Sequence, residues 1–479
     1  MMTPSDLSSL SLTEAARLIA TRRLSSGELT ERMLARLTVV DAEVHAYLRH
    51  DAEAARRAAA AADERASQGT LRGPLDGIPF AVKDNFYTAG LPTTAASRVP
   101  QRHDPDLQAT LVTRLQAAGA ILLGKLNTWE YGTGTGAVYD DLAVPPARNP
   151  WNTAHYTGGS SSGSAASVAA GTALFSLGTD TGGSVRLPAA ACGVVGFKPT
   201  FGRLSRHGIM PNCWSFDTPG PLTRSVADAA LVYDALVGHD PADPVSLTAA
   251  ATPTAPQLEQ PITGLRVGLI SQLSAELVPH PSIQAALEQA AELFRRAGAE
   301  VVDIALPIAP AEYRAINLPI NRSESFSIHE QDYLQHRHLM GRSLREKLEC
   351  GFYLRAADYL AALRLRRQIV ARTDELFRQF DILLLPIILA PAPRLDDAAA
   401  VEAFTTRSAG SPFSLTGHPA LSLPLGLAAN GLPVAVQLAA GYCREDLLLR
   451  AARTLERGAT AAGMTSPIFA YPGVPQHDR

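Results

Sequence analysis

Near its start the chain places apolar and polar positions in a helical rhythm. In LTEAARLIATRRL (12–24) apolar residues return every three to four positions. Ser26-Gly27-Glu28 restarts the pattern, and an alanine-rich run over 52–66 continues it, so residues 5–67 are predicted as helix. Arg72-Gly73-Pro74 breaks the rhythm. Short apolar runs then take over as predicted strands: IPFAV (78–82), AILLG (120–124), ALFSLG (173–178) and CGVVGF (192–197). Helical stretches at 109–118 and 164–170 alternate with them, which predicts an α/β fold. Residues 241–262, rich in proline, alanine and threonine, are predicted as a linker. After it come a strand LRVGLI (265–270), an amphipathic helix at 283–297 and a charged, mostly helical stretch at 310–380. A buried strand DILLLP (381–386), the strands ALSLPLG and PVAVQLA, and a last helix at 445–458 complete the pattern. Strands on both sides of 241–262 are able to join one sheet or to form two domains, a choice the pattern alone leaves open; a single domain over 1–479 is the expectation adopted, and no internal repeat divides it.

Composition narrows the class. Of 479 residues, 46% are hydrophobic, enough for a large core and too many for global disorder. A net charge of −3 implies no broad basic face for nucleic acid or anionic membrane. The longest apolar run, 382–390, is broken by Pro386, so no membrane span is predicted, and the first residues lack the basic-then-apolar order of a signal peptide. Cys192, Cys213, Cys350 and Cys443 stand far apart, which argues against a disulfide framework or zinc knuckle and makes a reducing cytoplasm the expected setting. Only four of the 43 basic residues are lysines: Lys83, Lys125, Lys198 and Lys347.

The densest chemical signal is GGSSSGS (158–164) followed by LGTDTGGSVRLPAAACGVVGFKPT (177–200). A glycine–serine cluster by composition alone reads as a flexible linker. This one runs directly into a helix, an apolar strand and a second glycine turn, and two such turns present serines and backbone N–H groups to an anionic transition state. Gly159 to Gly163 also fits the nucleophile elbow GxSxG, but no strand precedes it, and His418 is the least unsuitable histidine to complete such a triad. Gly119 to Lys125 fits the first seven positions of a phosphate loop, yet Leu126 replaces the hydroxyl residue and the interior is an apolar strand. Gly132-Thr133-Gly134-Thr135-Gly136 lacks the third spaced glycine of a dinucleotide fingerprint. Lys83 follows a run that should be buried. It reads either as a surface lysine at a strand end or as a desolvated amine, neutral enough to act as a base. Asp180 and Arg186 flank the second turn, where pairing would stiffen it.

These blocks together resemble the amidase signature family of hydrolases. The likeness lies in GIPFAVKDNF (77–86), AGAILLGKLNTWEY (118–131), RNPWN (148–152), GGSSSGSAASVAAG (158–171), LGTDTGGSVRLPAAACGVVGFKPTFGRLSRHGI (177–209) and GPLTRSVADAAL (220–231). It is strong over 70–235, the signature core, weaker over 380–460 and poor over 300–375, so 310–375 corresponds to the family's variable part. The resemblance implies an α/β amidase signature fold, a central mixed twisted sheet flanked by helices on both faces, with 263–470 completing the sheet. It implies a Ser–cisSer–Lys triad: Lys83 as base, Ser160 as the bridging serine in a cis peptide, and Ser184 as nucleophile, 24 residues beyond Ser160. The N–H groups of Thr181, Gly182, Gly183 and Ser184 would form the oxyanion hole, with Asp180 and Arg186 as structural support. Ser162 stands where glycine is commoner in the family. No metal and no cofactor are implied.

For the substrate, the resemblance points to an amidohydrolase acting on linear amides, hydrophobic or aryl, with esters and aryl carbamates as further possibilities. The family's segment around Trp129, Tyr131, Thr133 and Gly134 lies near the acyl pocket, and Ser161, Cys213 and Trp214 are further candidates to line it. The alternative is the glutaminase component of a tRNA-dependent amidotransferase. That component needs an acidic residue before its closing GxP block, and the corresponding stretch TTRSAGSPFSLTGHP (405–419) holds no acid and one arginine, Arg407. The expected partner is thus a small-molecule amide, ester or carbamate, bound by a monomer or homodimer.

Overall fold

The computed structural model describes residues 10–101, 106–134 and 141–461. Residues 5–9 of the first helical run, Thr135 and Gly136 of the glycine-rich loop, and 462–470 lie outside the described residues. The fold is α/β, built on one mixed sheet of eleven strands with helices on both faces. In chain order the strands are β1 (Tyr47–His50), β2 (Pro79–Lys83), β3 (Ile121–Leu126), β4 (Phe175–Asp180), β5 (Val195–Lys198), β6 (Thr218–Thr223), β7 (Arg266–Leu269), β8 (Glu300–Asp303), β9 (Ile382–Pro386), β10 (Ala420–Leu427) and β11 (Pro433–Ala440). Across the sheet they run β1-β3-β2-β4-β6-β5-β10-β11-β9-β7-β8. β2 pairs in parallel with both β3 and β4, and β9, β7 and β8 form a second parallel group. The strands between these groups are antiparallel.

The apolar run ILLLP shows how both faces are covered. Successive strand residues point to opposite faces. Ile382 and Leu384 enter the main core cluster with Val436 and Leu438, and Leu383 and Leu385 enter a second cluster with Phe380 and Phe413. A strand buried on both sides therefore reads as continuous hydrophobicity, without alternation. The strands flanking 241–262 belong to the same sheet. That segment is tied down: Asp234 accepts from the N–H and hydroxyl of Thr254, at 2.8 and 2.9 Å, and from the Ala255 N–H at 2.9 Å.

Two local departures from the sequence pattern have physical causes. The predicted helical run ends at His45, in the left-handed region, and gives way to β1, which pairs antiparallel with β3 at the sheet edge. Four residues are too few to reveal a strand period. β6, TPGPLT, carries two prolines that argue against a strand. β5 pairs only with Leu222 and Thr223 of β6, so Pro219 and Pro221 lie where one side of the strand has no ladder to supply. Among the described residues, no helix is long and apolar enough to cross a membrane, and no group of histidine, cysteine, aspartate or glutamate side chains is placed to hold a metal ion.

Candidate active site

The three residues singled out for catalysis come from three segments that the sheet draws together. β2 delivers Lys83 at its C-terminal end, and all five of its residues are buried. Parallel pairing sets Val82 opposite Leu177 of β4, so Thr179 and Asp180 arrive beside Lys83. The GGSSSG turn enters the helix Ser162–Ala170, which packs on β2, β3 and β4. Here the Gly159–Ser160 peptide is cis. Gly159 has no alternative residue: a Cβ there would lie 2.1 Å from the Trp129 indole.

Lys83 Nζ donates to Ser160 Oγ at 2.7 Å and to Thr179 Oγ1 at 2.8 Å. The amine is wholly buried, and desolvation pulls its pKa down to about 7 against the opposing pull of Asp217 and Asp180. Ser184 sits alongside: its carbonyl accepts from the Ser161 N–H at 3.3 Å. Among the described residues its hydroxyl forms no hydrogen bond to Ser160, and the residue is only half-buried.

The turn 180–186 corrects one expectation. Each backbone N–H has one hydrogen to give, and that of Gly183 is spent on Asp180 Oδ1 at 2.9 Å. Gly183, at φ +118°, therefore shapes the turn and does not supply an oxyanion donor. Among the described residues, the N–H groups of Thr181, Gly182 and Ser184 have no such partner. Asp180 and Arg186 form a fully buried bidentate pair, with Nε to Oδ2 at 3.0 Å and Nη2 to Oδ1 at 2.9 Å. Arg186 reaches on to Gln437 Oε1, the Gly410 carbonyl and Ser414 Oγ, locking the turn to β11 and to the helix Ser411–Thr416. Burial works against the Asp180 carboxylate, but the charge and hydrogen bonds of Arg186 outweigh it and hold the group at about 2. Removing one member would leave a buried charge uncompensated. Asp180→Ala is expected to lower the unfolding free energy in denaturant titrations by about 3–5 kcal/mol, and a loss under about 1 kcal/mol would contradict this role.

The candidate pocket residues scatter. Trp214 is 50% exposed and lines a cavity of about 270 Å³ that also meets Asn85, Thr179, Met210, Asn212 and Asp217. Trp129 packs behind Gly159 and lines a separate small cavity of about 40 Å³, together with Thr133. Tyr131 is buried: its hydroxyl donates to Asp332 Oδ2 at 2.8 Å, and its ring packs edge-on to His329. Thr133 is held by Lys347 Nζ, and Gly134 packs against Ser343. Ser161 Oγ donates to the Thr179 carbonyl at 3.2 Å, and the Cys213 thiol donates to Glu324 Oε2 at 3.0 Å, so both are engaged internally. His418 is buried between Phe377 and Tyr442, 3.0 Å from both Asp374 Oδ1 and Thr416 Oγ1, and among the described residues its ring nitrogens form no hydrogen bond to a serine. Lys125, in the phosphate-loop lookalike, is buried in β3 and paired with Asp84 at 3.0 Å.

Sequence reasoning passed over three groups. Thr179 shares Lys83 with Ser160. Asp217 accepts from Thr181 Oγ1 at 2.6 Å and from the N–H groups of Asn212 and Cys213 at 2.7 and 2.8 Å, which ties the glycine turn to the cavity wall. Lys347 enters the interior from the helix Arg342–Glu349. The scarcity of lysine was the available signal for it, since all four lysines are buried.

Comparison with known proteins places the chain among its relatives. A family model described as Amidase matches residues 28–449. The glutamyl-tRNA(Gln) amidotransferase A chain of Anaeromyxobacter sp. (strain K) is 41% identical over 485 aligned positions, covering 95% of this chain and 98% of its own. An inhibitor-bound complex, described as vestigial and as revealing the evolutionary origins of an s-triazine catabolic enzyme, superposes with a TM-score of 0.87 at 36% identity, over 95% of this chain and 99% of the other. The native peptide amidase of Stenotrophomonas maltophilia does so at 0.82 and 31%, over 94% and 97%.

Proposed function

From the premise that this chain belongs to the amidase signature family, we propose that it is an amidohydrolase cleaving the C–N bond of linear amides through an acyl-enzyme on Ser184. One observation carries the reading: a buried lysine, held near neutrality, donates to Ser160 Oγ at 2.7 Å beside a half-buried Ser184. Ser184 Oγ attacks the carbonyl carbon and passes its proton to Ser160, as Ser160 passes its own to neutral Lys83. The oxyanion accepts from the N–H groups of Thr181, Gly182 and Ser184, and a single donor of this kind is worth about 3 kcal/mol. The proton then returns through Ser160 to the leaving nitrogen as the C–N bond breaks, and water later releases the acyl group from Ser184. No step calls on histidine, metal or cofactor.

The preferred substrates are hydrophobic or aryl amides, with esters and aryl carbamates accepted for their better leaving groups. Ile209, Met210, Pro211, Trp214 and Pro219 give the cavity apolar walls. Its charges are already engaged, Arg206 with Asp243 at 3.5 Å and Asp217 with Thr181 and two N–H groups. Little charge is left to hold the two ionised ends of an amino acid. A second reading, the glutaminase component of an amidotransferase, is favoured by the 41% identical relative. Against it, 405–419 holds no acid, and the exposed Arg407 donates to the Glu276 carbonyl at 2.9 Å. We take the partner to be the small-molecule substrate, the state to be monomer or homodimer, and the setting to be a reducing cytoplasm, which suits four free cysteines.

A hydrolysis panel at fixed pH separates the two readings. The expected result is turnover of an acyl anilide, a matched aryl ester or an aryl carbamate by the isolated chain, well above its turnover of glutamine. Ammonia release from glutamine alone, or activity that needs a second protein, would replace the first reading with the second.

A further inference from the structure

The cavity beside Lys83 has apolar walls and one side chain whose hydrogen-bonding capacity is half used. Asn212 is only 8% exposed and lines this cavity. Its Oδ1 accepts from Lys347 Nζ at 2.7 Å and from Ser325 Oγ at 3.1 Å. With Lys347 as the ammonium, its N–H groups can only donate, so they hold the carboxamide oxygen toward Lys347, and the Ser325 hydroxyl, able to donate or accept, donates to the same oxygen. The oxygen faces the helices Pro310–His336 and Arg342–Glu349, and the NH₂ group turns the other way. Among the described residues that Nδ2 has no hydrogen-bond partner. The frame around it is rigid. The Asn212 N–H donates to Asp217 Oδ2 at 2.7 Å, Asp217 holds Thr181 of the oxyanion turn, and Lys347 also donates to Thr133 Oγ1. Lys347 itself is buried, only 5% exposed.

We propose that Asn212 is a specificity-determining residue whose NH₂ group donates to a second carbonyl oxygen carried by the substrate, and that Lys347 is the positioning residue that aims it. Resting on the amidohydrolase reading above, this narrows the substrate class to amides with a further carbonyl, as in N-acylamino amides, over plain alkyl amides of equal length. A lone donor in an apolar cavity rewards the ligand that offers an acceptor and is left unpaired by the one that does not.

Binding is the test, because it does not depend on turnover. Ser184→Ala protein is titrated calorimetrically with N-acetylglycinamide, N-acetyl-β-alaninamide and N-acetyl-γ-aminobutyramide, each against the alkanamide of matched length. At least one acylamino amide is expected to bind about tenfold tighter than its hydrocarbon partner. Asn212→Asp keeps the acceptor for Lys347 and replaces the donor, and Lys347→Met frees the carboxamide to turn. Either change is expected to bring the ratio within the pair close to one, whereas a merely structural role would weaken both members alike. Equal binding of all pairs by the Ser184→Ala protein, which needs no further variant to fold, would overturn the proposal. So would a preference that survives both substitutions. A preference lost in the variants, in a protein that hydrolyses no amide, would keep this assignment and remove the amidohydrolase reading instead.

Discussion

Ser184→Ala is expected to lower amide turnover by about ten-thousand-fold or more while leaving the folded state intact. The loss is large because Oγ forms the covalent bond, and neither Ser160 nor Lys83 has a substitute to activate. The fold is spared because the Ser184 contact seen in the structure runs through its backbone carbonyl, which alanine keeps. Oxyanion donors and cavity would remain, so substrate affinity is expected to stay near that of wild type. Initial rates on an acyl p-nitroanilide, beside a thermal melt, measure both parts. Activity within about tenfold of wild type would remove Ser184 from the nucleophile's place.

Lys83→Met is expected to cost about a thousandfold or more in kcat/KM, and the wild-type pH profile should explain why. The base is the neutral amine, and burial holds its pKa at about 7. Below that value the amine is protonated and the rate falls tenfold per pH unit; above it the rate levels off. Lys198 and Lys347 are also buried and lie near 7, so the limb on its own does not identify its owner. The variant does: the residual rate of Lys83→Met should lack the rising limb. Lys83→Met with near-normal kcat/KM, or with the limb unchanged, would assign the proton to another group. Methionine fills similar space, so the buried site should tolerate it.

Much of the sheet was legible in the chain because strands covered on both faces are runs of apolar residues. IPFAV, AILLG, ALFSLG and DILLLP all became strands of the sheet. The strands that escaped lack that signature: β1 is a four-residue edge, β6 contains two prolines, and β8 is EVVD with charged ends. The two glycine–serine turns stood out because they sit between packed elements, and Lys83 because it follows a buried run; Ser160 and Ser184 were singled out within those turns by the family resemblance. Their surroundings did not stand out. The bond from Arg186 to Gln437 spans 251 residues, and that from Lys347 to Asn212 spans 135. No local pattern marks either end of such a contact. Tyr131 and Cys213 are the converse. Their positions beside family motifs suggested pocket walls, but a phenol needs a polar partner when buried, and Asp332 supplies it. Cys213 turns to Glu324 instead.

The burial of all four lysines has a consequence outside catalysis. The outer cations are arginines, whose guanidinium groups stay protonated and resist acylation. Reagents that couple to primary amines, and proteases that cut after lysine, therefore find these four side chains covered on the folded molecule. The same reagents gain four targets when the chain opens. Lysine labelling of this protein would count unfolded molecules.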